Sequence, residues 1–137
     1  MVLQQLGVIK LFHKVAIKPG KPFWCGKKRN EGVVFALPGN PLSCFVNFII
    51  FIKPFLHACF GLPVAKPREY FFDGVRTKNS ELDEFFPVKF KANSNHLQAI
   101  PFNGSGDIQA ALFADGIALH SFASTTIKDE LIPYFPL

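Results

Sequence analysis

Val33-Val34-Phe35-Ala36-Leu37-Pro38-Gly39-Asn40-Pro41-Leu42-Ser43 decides the fold, because it passes from strand to loop to helix in one short segment. Val33 to Leu37 is a continuous apolar run of the kind expected for a strand buried on both faces. Pro38 and Gly39 end it. Asn40 is placed to cap the helix that follows, and Pro41 suits its first position, where a missing N–H costs nothing and φ is already helical. The helix is expected to run to about Phe60, with Gly61 as its stop and a kink at Pro54. Apolar residues surround it almost completely, which predicts a helix sandwiched between neighbours. Leu42 to Phe60 is nearly membrane length, but Ser43, Asn47, Lys53, Pro54 and His57 interrupt it. A charge at the bilayer centre is costly, so a buried helix is the expected reading and no membrane span.

Upstream, Ile9 to Lys18 alternates. Ile9, Leu11, Val15 and Ile17 share one face and Lys10, Phe12, Lys14, Ala16 and Lys18 the other, which predicts one strand with a basic side. Pro19-Gly20 turns the chain, Phe23 to Gly26 resumes extended structure, and Lys27 to Gly32 forms a polar turn. Val2 to Gly7 reads as the end of a helix stopped by Gly7, as though the chain began within a fold. Strand, loop and helix together resemble the last βα unit of an open α/β sheet, whose partner strands are expected upstream or from another subunit.

Beyond the Gly61 to Lys66 linker, with Pro63 and Pro67, the texture changes to short strand-like segments: 69–75, 85–91, 96–102, 116–122 and 131–135. Their spacing predicts a small sandwich or barrel, with Ile108 to Ala114 as a helical turn between strands. The expected architecture is therefore an α/β part followed by a small all-β, barrel-like domain, with residues 1–64 and 67–137 as the two units.

Charge divides the chain in the same place. Residues 1–65 carry eight Lys/Arg and one acid, Glu31, while residues 66–137 carry seven Lys/Arg and nine acids. The basic half has no aromatic-interleaved or recognition-helix pattern, so a small anion is a better partner than a nucleic acid. With 49% hydrophobic residues, 17 Phe and only 18% charged residues, the polar surface is lean. Some apolar area should meet another chain or a further segment, and a homodimer is expected. The opening residues lack the pattern of a secretory leader, which leaves the cytoplasm as the expected compartment. Cys25, Cys44 and Cys59, like His13, His57, His96 and His120, have no ligand-spaced partners, so no metal ligand is assigned.

Ligands of open α/β sheets sit beyond the carboxyl ends of strands, where a helix N-terminus offers free N–H groups. Gly39 there lets an anion approach the backbone, Asn40 and Ser43 add polar side chains, and Pro38 and Pro41 hold the loop in shape. If the Ile9 to Lys18 strand lies beside Val33 to Leu37, then Lys14, Lys18 and Lys21 converge on that helix end, with no carboxylate nearby. A lone P-G-x-P before a helix is more often a turn and cap than a site. The combination specifies an anion and nothing finer.

Lys18-Pro19-Gly20-Lys21-Pro22-Phe23 and Leu37-Pro38-Gly39-Asn40-Pro41-Leu42-Ser43 resemble the K-P-G-K-P and L-P-G-N-P-V-S motifs of the molybdopterin molybdenumtransferase family, the MoeA and gephyrin E-domain group. Gly104-Ser105-Gly106 and Ala114-Asp115-Gly116-Ile117-Ala118 are similar to looser motifs of that family's C-terminal β domain. The resemblance implies the end of a molybdopterin-binding α/β domain followed by a β-barrel domain. It implies insertion of molybdate into adenylylated molybdopterin with a divalent metal, Mg2+, and release of AMP. By it, Lys14, Lys18 and Lys21 would hold oxyanion or phosphate charge, Pro38, Gly39, Asn40 and Pro41 would shape the pocket, and Ser43 would donate to molybdate or phosphate. The sequence departs from the family in lacking a G-D-x-D segment for the metal, so turnover by this chain alone is not expected. It also carries Pro133 and Pro136 where the family runs a regular valine-rich strand. The alternatives are a non-catalytic scaffold module on the same two domains, for which the Phe excess is the warrant, and a simple nucleotide-binding domain.

Overall fold

The computed structural model describes residues 2–29, 32–104 and 106–137. Two sheets and one broken helix carry the architecture. A short helix α1 (Val2–Gln5) leads through Gly7, at φ 76°, into the first sheet, as the glycine signal predicts. That sheet holds β1 (Val8–His13), β3 (Trp24–Lys28) and β4 (Gly32–Ala36) in the order β1-β3-β4, all antiparallel. The turn between β3 and β4 includes Asn30 and Glu31, which lie outside the described residues.

The single strand expected over Ile9 to Lys18 is two. β1 ends at His13, Lys14 takes a left-handed φ of 70°, and Ile17–Lys18 form β2, which joins the other sheet. A residue in that conformation breaks the two-residue alternation, so the faces assigned before it do not continue after it. β1 and β4 are also not neighbours, because β3 lies between them. β4 is an edge strand, and its residues are exposed or half-buried. The burial expected on both faces is absent because only the helix side is covered.

Phenylalanines attach this sheet to the helix. Phe23, wholly buried, packs against Phe12, Phe35 and Phe51 with ring centroids 5.5, 5.9 and 5.0 Å away, and Phe55 meets Phe35 edge-on at 5.2 Å. Pairs of this kind add about 0.5–1.5 kcal/mol each beyond the area they bury.

The helix opens as α2 (Pro41–Asn47), with Asn40 extended before it and Pro41 at its first turn. The Asn40 side chain makes no capping bond, contrary to expectation. A π-helical turn, Phe48–Ile52, separates α2 from α3 (Lys53–Cys59). The irregularity thus precedes Pro54, which has no N–H to continue the α ladder. Val46 and Ile49 pack with Ile17, Phe85 and Ile117 into one core cluster shared with the barrel. The helix therefore lies between the first sheet, met by Phe51 and Phe55, and the barrel, met by Val46 and Ile49, as expected, although Phe48, Leu56 and Phe60 remain exposed. Among the described residues Pro41–Cys59 is the one helix long and apolar enough to cross a membrane, by length and composition.

The second sheet closes on itself. β5 (Arg68–Thr77), β6 (Asp83–Phe90), β7 (Leu97–Ala99), β8 (Gly116–His120) and β9 (Thr126–Pro136) form a five-strand barrel in the order β6-β7-β5-β9-β8, with β8 pairing back onto β6. β2 adds to β6 in parallel, Ile17 opposite Asp83 and Lys18 opposite Glu84. Phe72, Phe86, Val88, Leu97, Ala118, Ile127, Ile132 and Tyr134 fill the barrel. The two prolines of the last strand are accommodated: Pro133 lies opposite Glu69 and Pro136 opposite Gly116. Helix α4 (Ile108–Leu112) starts at Asp107, whose carboxylate accepts from the Gln109 and Ala110 amides at 3.0 and 3.3 Å. This is the cap that Asn40 does not supply.

Candidate functional site

β2 ends at the Lys18-Pro19-Gly20-Lys21 turn, and this turn forms one wall of a cavity of about 600 Å³. Ser43 from α2, Arg76 from β5, Glu84 and Phe85 from β6, and Gly104 from the loop before α4 complete it. The turn is seated by Asn47, one helical turn beyond Ser43. Its wholly buried side chain donates from Nδ2 to the Gly20 carbonyl at 3.2 Å. Gly20 itself sits at φ 113°, and a Cβ there would come within 2.8 Å of Asn47 Nδ2. Ser43 and Asn47, four apart on one helix face, therefore address the same turn. Ser43 is buried and faces the cavity.

The lysines do not act as one group. Lys18 and Lys21 line the cavity, whereas Lys14, Pro38, Gly39, Asn40 and Pro41 are not among its walls. Lys14 is displaced by its left-handed backbone, and its N–H donates to the Phe23 carbonyl at 2.8 Å. The Pro38 carbonyl is turned onto the Cys44 thiol, 2.6 Å away. The cations are also not free of carboxylates, because Glu84 pairs with Lys18 at 3.2 Å and with Arg76 at 2.7 Å. Burial alone would raise the Glu84 pKa, but hydrogen bonds from Arg76 and Lys18 outweigh it and hold the carboxyl below its ordinary range.

Arg76, Glu84 and His120 escape a reading of the sequence because no spacing connects them. They meet only when β5, β6 and β8 close the barrel. Arg76 Nη1 lies 2.8 Å from His120 Nδ1, and its guanidinium carbon sits 4.4 Å from the centroid of the Phe86 ring. A guanidinium can only donate, so His120 accepts at Nδ1 and its proton resides on Nε2. Burial, then the charges of Arg76 and Lys78, lower the His120 pKa and keep the ring neutral. Lys78 is buried as well and braces the approach to β6, donating to the Ser80 and Leu82 carbonyls at 3.0 and 2.7 Å.

Three cations, Lys18, Lys21 and Arg76, with one carboxylate, Glu84, leave the cavity positive by formal count. A hydroxyl at Ser43 and an apolar rim of Ile17, Leu82, Phe85 and Phe102 accompany them. Such a lining can orient and neutralise an anion with a flat apolar portion. Among the described residues no group of three or more His, Cys, Asp or Glu could hold a metal ion. Both Glu84 oxygens are occupied by cations, so the side chains here do not fit a divalent metal.

The family described as "Probable molybdopterin binding domain" matches residues 2–58. Over 98% of its length the chain is 31% identical to a molybdopterin molybdenumtransferase of Synechocystis sp., covering 33% of that protein. A 58-residue segment is 48% identical to the enzyme of the same name from Synechococcus elongatus. Residues 2–58 match the molybdopterin-binding family, and the whole chain is similar to a part of the molybdopterin molybdenumtransferases. Its fold is similar to that of the molybdopterin biosynthesis moeA protein from Pyrococcus horikoshii, with a TM-score of 0.79 and 26% identity over 98% of this chain and 33% of that one. A molybdenum cofactor biosynthesis protein from Pyrococcus furiosus shares the fold at a TM-score of 0.79 and 21% identity. The chain thus spans about a third of the length of the Synechocystis relative. The segments carrying the family's motifs, Lys18 to Pro22, Leu37 to Ser43 and Gly104 to Gly106, each send at least one residue into the single cavity described above. Ser105 lies outside the described residues.

Proposed function

We propose that this chain supplies the anion-holding wall of an enzyme of molybdenum cofactor biosynthesis, one that inserts molybdate into adenylylated molybdopterin and releases AMP. The observation that carries the reading is the convergence of Lys18, Lys21 and Ser43 with Arg76 on one cavity. Transfer at phosphorus needs little covalent chemistry from a protein; it needs oxygens held in place and their charge neutralised. Lys21 offers an exposed ammonium, Ser43 a buried hydroxyl donor, and Arg76 a charge held by Glu84, His120 and the Phe86 ring. Phe85 and Phe102 give the pterin or adenine portion an apolar surface. Mg2+, if the reaction uses it, would be held by acids of the complete enzyme other than those lining this cavity.

In this reading residues 1–64 belong to the molybdopterin-binding α/β domain and 67–137 to a C-terminal barrel domain, with β2 as the tie between them. The cytoplasm is the proposed compartment and a homodimer the proposed assembly. Open edges at β1 and β4 and exposed Phe60 and Phe113, 77% and 75% accessible, support the latter. Sedimentation that finds only monomer at every concentration would remove it.

The site reading is tested by titrating the chain with molybdate and with AMP. Lys21→Ala and Ser43→Ala should each weaken binding about tenfold or more, since hydrogen bonds to charged groups contribute about 1.5–3 kcal/mol. Equal affinity in wild type and both variants rules it out. The exposed phenylalanines also favour a scaffold role on the same two domains. That role predicts that cofactor synthesis by the complete protein survives Lys18→Ala combined with Ser43→Ala.

A further inference from the structure

Glu84 holds two cations of unequal freedom. Its own side chain is 8% exposed, and its two oxygens are divided between Arg76 at 2.7 Å and Lys18 at 3.2 Å. Arg76 is 18% exposed and restrained three ways, by Glu84, by His120 Nδ1 and by the face of Phe86. Lys18 is 62% exposed, and Glu84 is its one polar side-chain contact among the described residues. A long, solvated ammonium held by one half-buried pair, with its own end open to water, exchanges partners at small cost. The guanidinium does not.

We propose that Glu84 is the resting counter-ion of Lys18, from which an oxyanion or phosphate entering the cavity takes the ammonium over. The inference rests on the anion reading of the cavity and adds a device to it. Without ligand, Glu84 keeps Lys18 folded along β2 at the cavity wall, and keeps the cations from repelling one another. With ligand, Lys18 turns to the anion while Arg76 stays on Glu84. On release, Glu84 recaptures Lys18 and hastens departure. No bond is made or broken in the exchange; one ion pair replaces another. Glu84 therefore sets the affinity of the cavity downward, as a built-in competitor for one of its cations.

Glu84→Gln tests this directly, because the amide oxygen can still accept from Arg76 while the charge that retains Lys18 is gone. The probe is molybdate, followed by the backbone amide resonances of Gly20, Lys21 and Ser43 in the full chain. Glu84→Gln should bind molybdate about two- to fivefold more tightly, the range set by one ion pair whose ammonium is open to solvent. In a Lys18→Met background the same change should bring little gain. Tightening that persists undiminished in Lys18→Met would mean simple repulsion between Glu84 and the anion, and would overturn the exchange. Unchanged or weaker binding in a folded Glu84→Gln would overturn it too.

If Glu84→Gln does not fold, wild type still decides. Glu84 faces Lys18 from β2, Arg76 from β5 and, through Arg76, His120 from β8. Saturating molybdate should move its carboxyl carbon titration to higher pH, and by less in Lys18→Met. No movement overturns the proposal. The two levels separate cleanly. Should wild type show no molybdate-dependent shift at the three amides, the anion cavity and the exchange fall together. Should Lys21→Ala and Ser43→Ala weaken binding while Glu84→Gln leaves it unchanged, the exchange alone falls.

Discussion

Gly20 and Asn47 show how narrowly the cavity wall is held. The glycine is at φ 113° and the asparagine is fully buried with its amide on the Gly20 carbonyl, so neither can yield to the other. Gly20→Ala should cost about 1–3 kcal/mol from strain and crowding, and Asn47→Leu about 1 kcal/mol from the lost side-chain bond, since the Gly20 carbonyl keeps the Phe23 amide at 3.2 Å. Urea unfolding midpoints measure both. His120 and Glu84 set a pH dependence of definite sign. His120 is held below its ordinary 6.5 by burial and by Arg76 and Lys78, so the unfolded chain takes up that proton first. The stability it contributes is whole above that value and declines as pH falls toward the folded-state pKa. Glu84, depressed despite its burial by Arg76 and Lys18, adds stability that is present above its ordinary 4.5 and is lost as acid protonates it. Stability should therefore begin to decline as pH falls through about 6.5 by way of the histidine, and further as pH falls below about 4.5 by way of the glutamate. In His120→Gln the first slope should flatten, and the same slope in both proteins would refute the assignment.

At the scale of elements, the barrel closes where β8 meets both β6 and β9, and Gly116 is the residue that permits it. A Cβ at that position would stand 2.4 Å from the Phe135 carbonyl and 2.4 Å from the Tyr134 ring. Gly116→Ala should cost about 3 kcal/mol, because backbone cannot retreat as a flexible side chain can. Gly106→Ala, with nothing within 4 Å of its Cβ, is the control and should stay within about 0.5 kcal/mol. Thermal denaturation distinguishes the two. The helix follows the same logic of local constraint. Its N-terminal boundary is legible because Pro41 can only begin a helix, and its irregular centre because Pro54 cannot continue one. The position of the π-helical turn, a turn before the proline, depends on how Ile49 and Val46 seat against the barrel.

For the molecule as a whole, the basic half and the acidic half meet along β2 and the shared core of Ile17, Val46, Ile49, Phe85 and Ile117. An anion that binds the folded cavity and not the unfolded chain must stabilise the fold. Molybdate should raise the Tm, and the rise should shrink as chloride is increased from about 0.05 M to about 0.5 M, because part of the lining is open to screening. A Tm indifferent to molybdate at low salt would contradict the proposed site. Scanning calorimetry reads both arms.

Residue order alone determined the β4-to-α2 passage, the change of texture near residue 67 and the strand content beyond it. Prolines, glycines and two-residue alternation act on neighbours in the chain, and their effects need no distant partner. The end of β1 was not visible in this way: Ile9 to Lys18 alternates throughout, whereas in the fold the chain turns at Lys14 and Ile17 and Lys18 pair with β6, a partner distant in sequence. Lys18 and Lys21 were found as cations by their motif, but their carboxylate partner was not. Glu84 reaches Lys18 across 66 residues, and Arg76 and His120 across 44. Such contacts are made by sheet closure, and a side chain's charge carries no record of which strand will be set beside it.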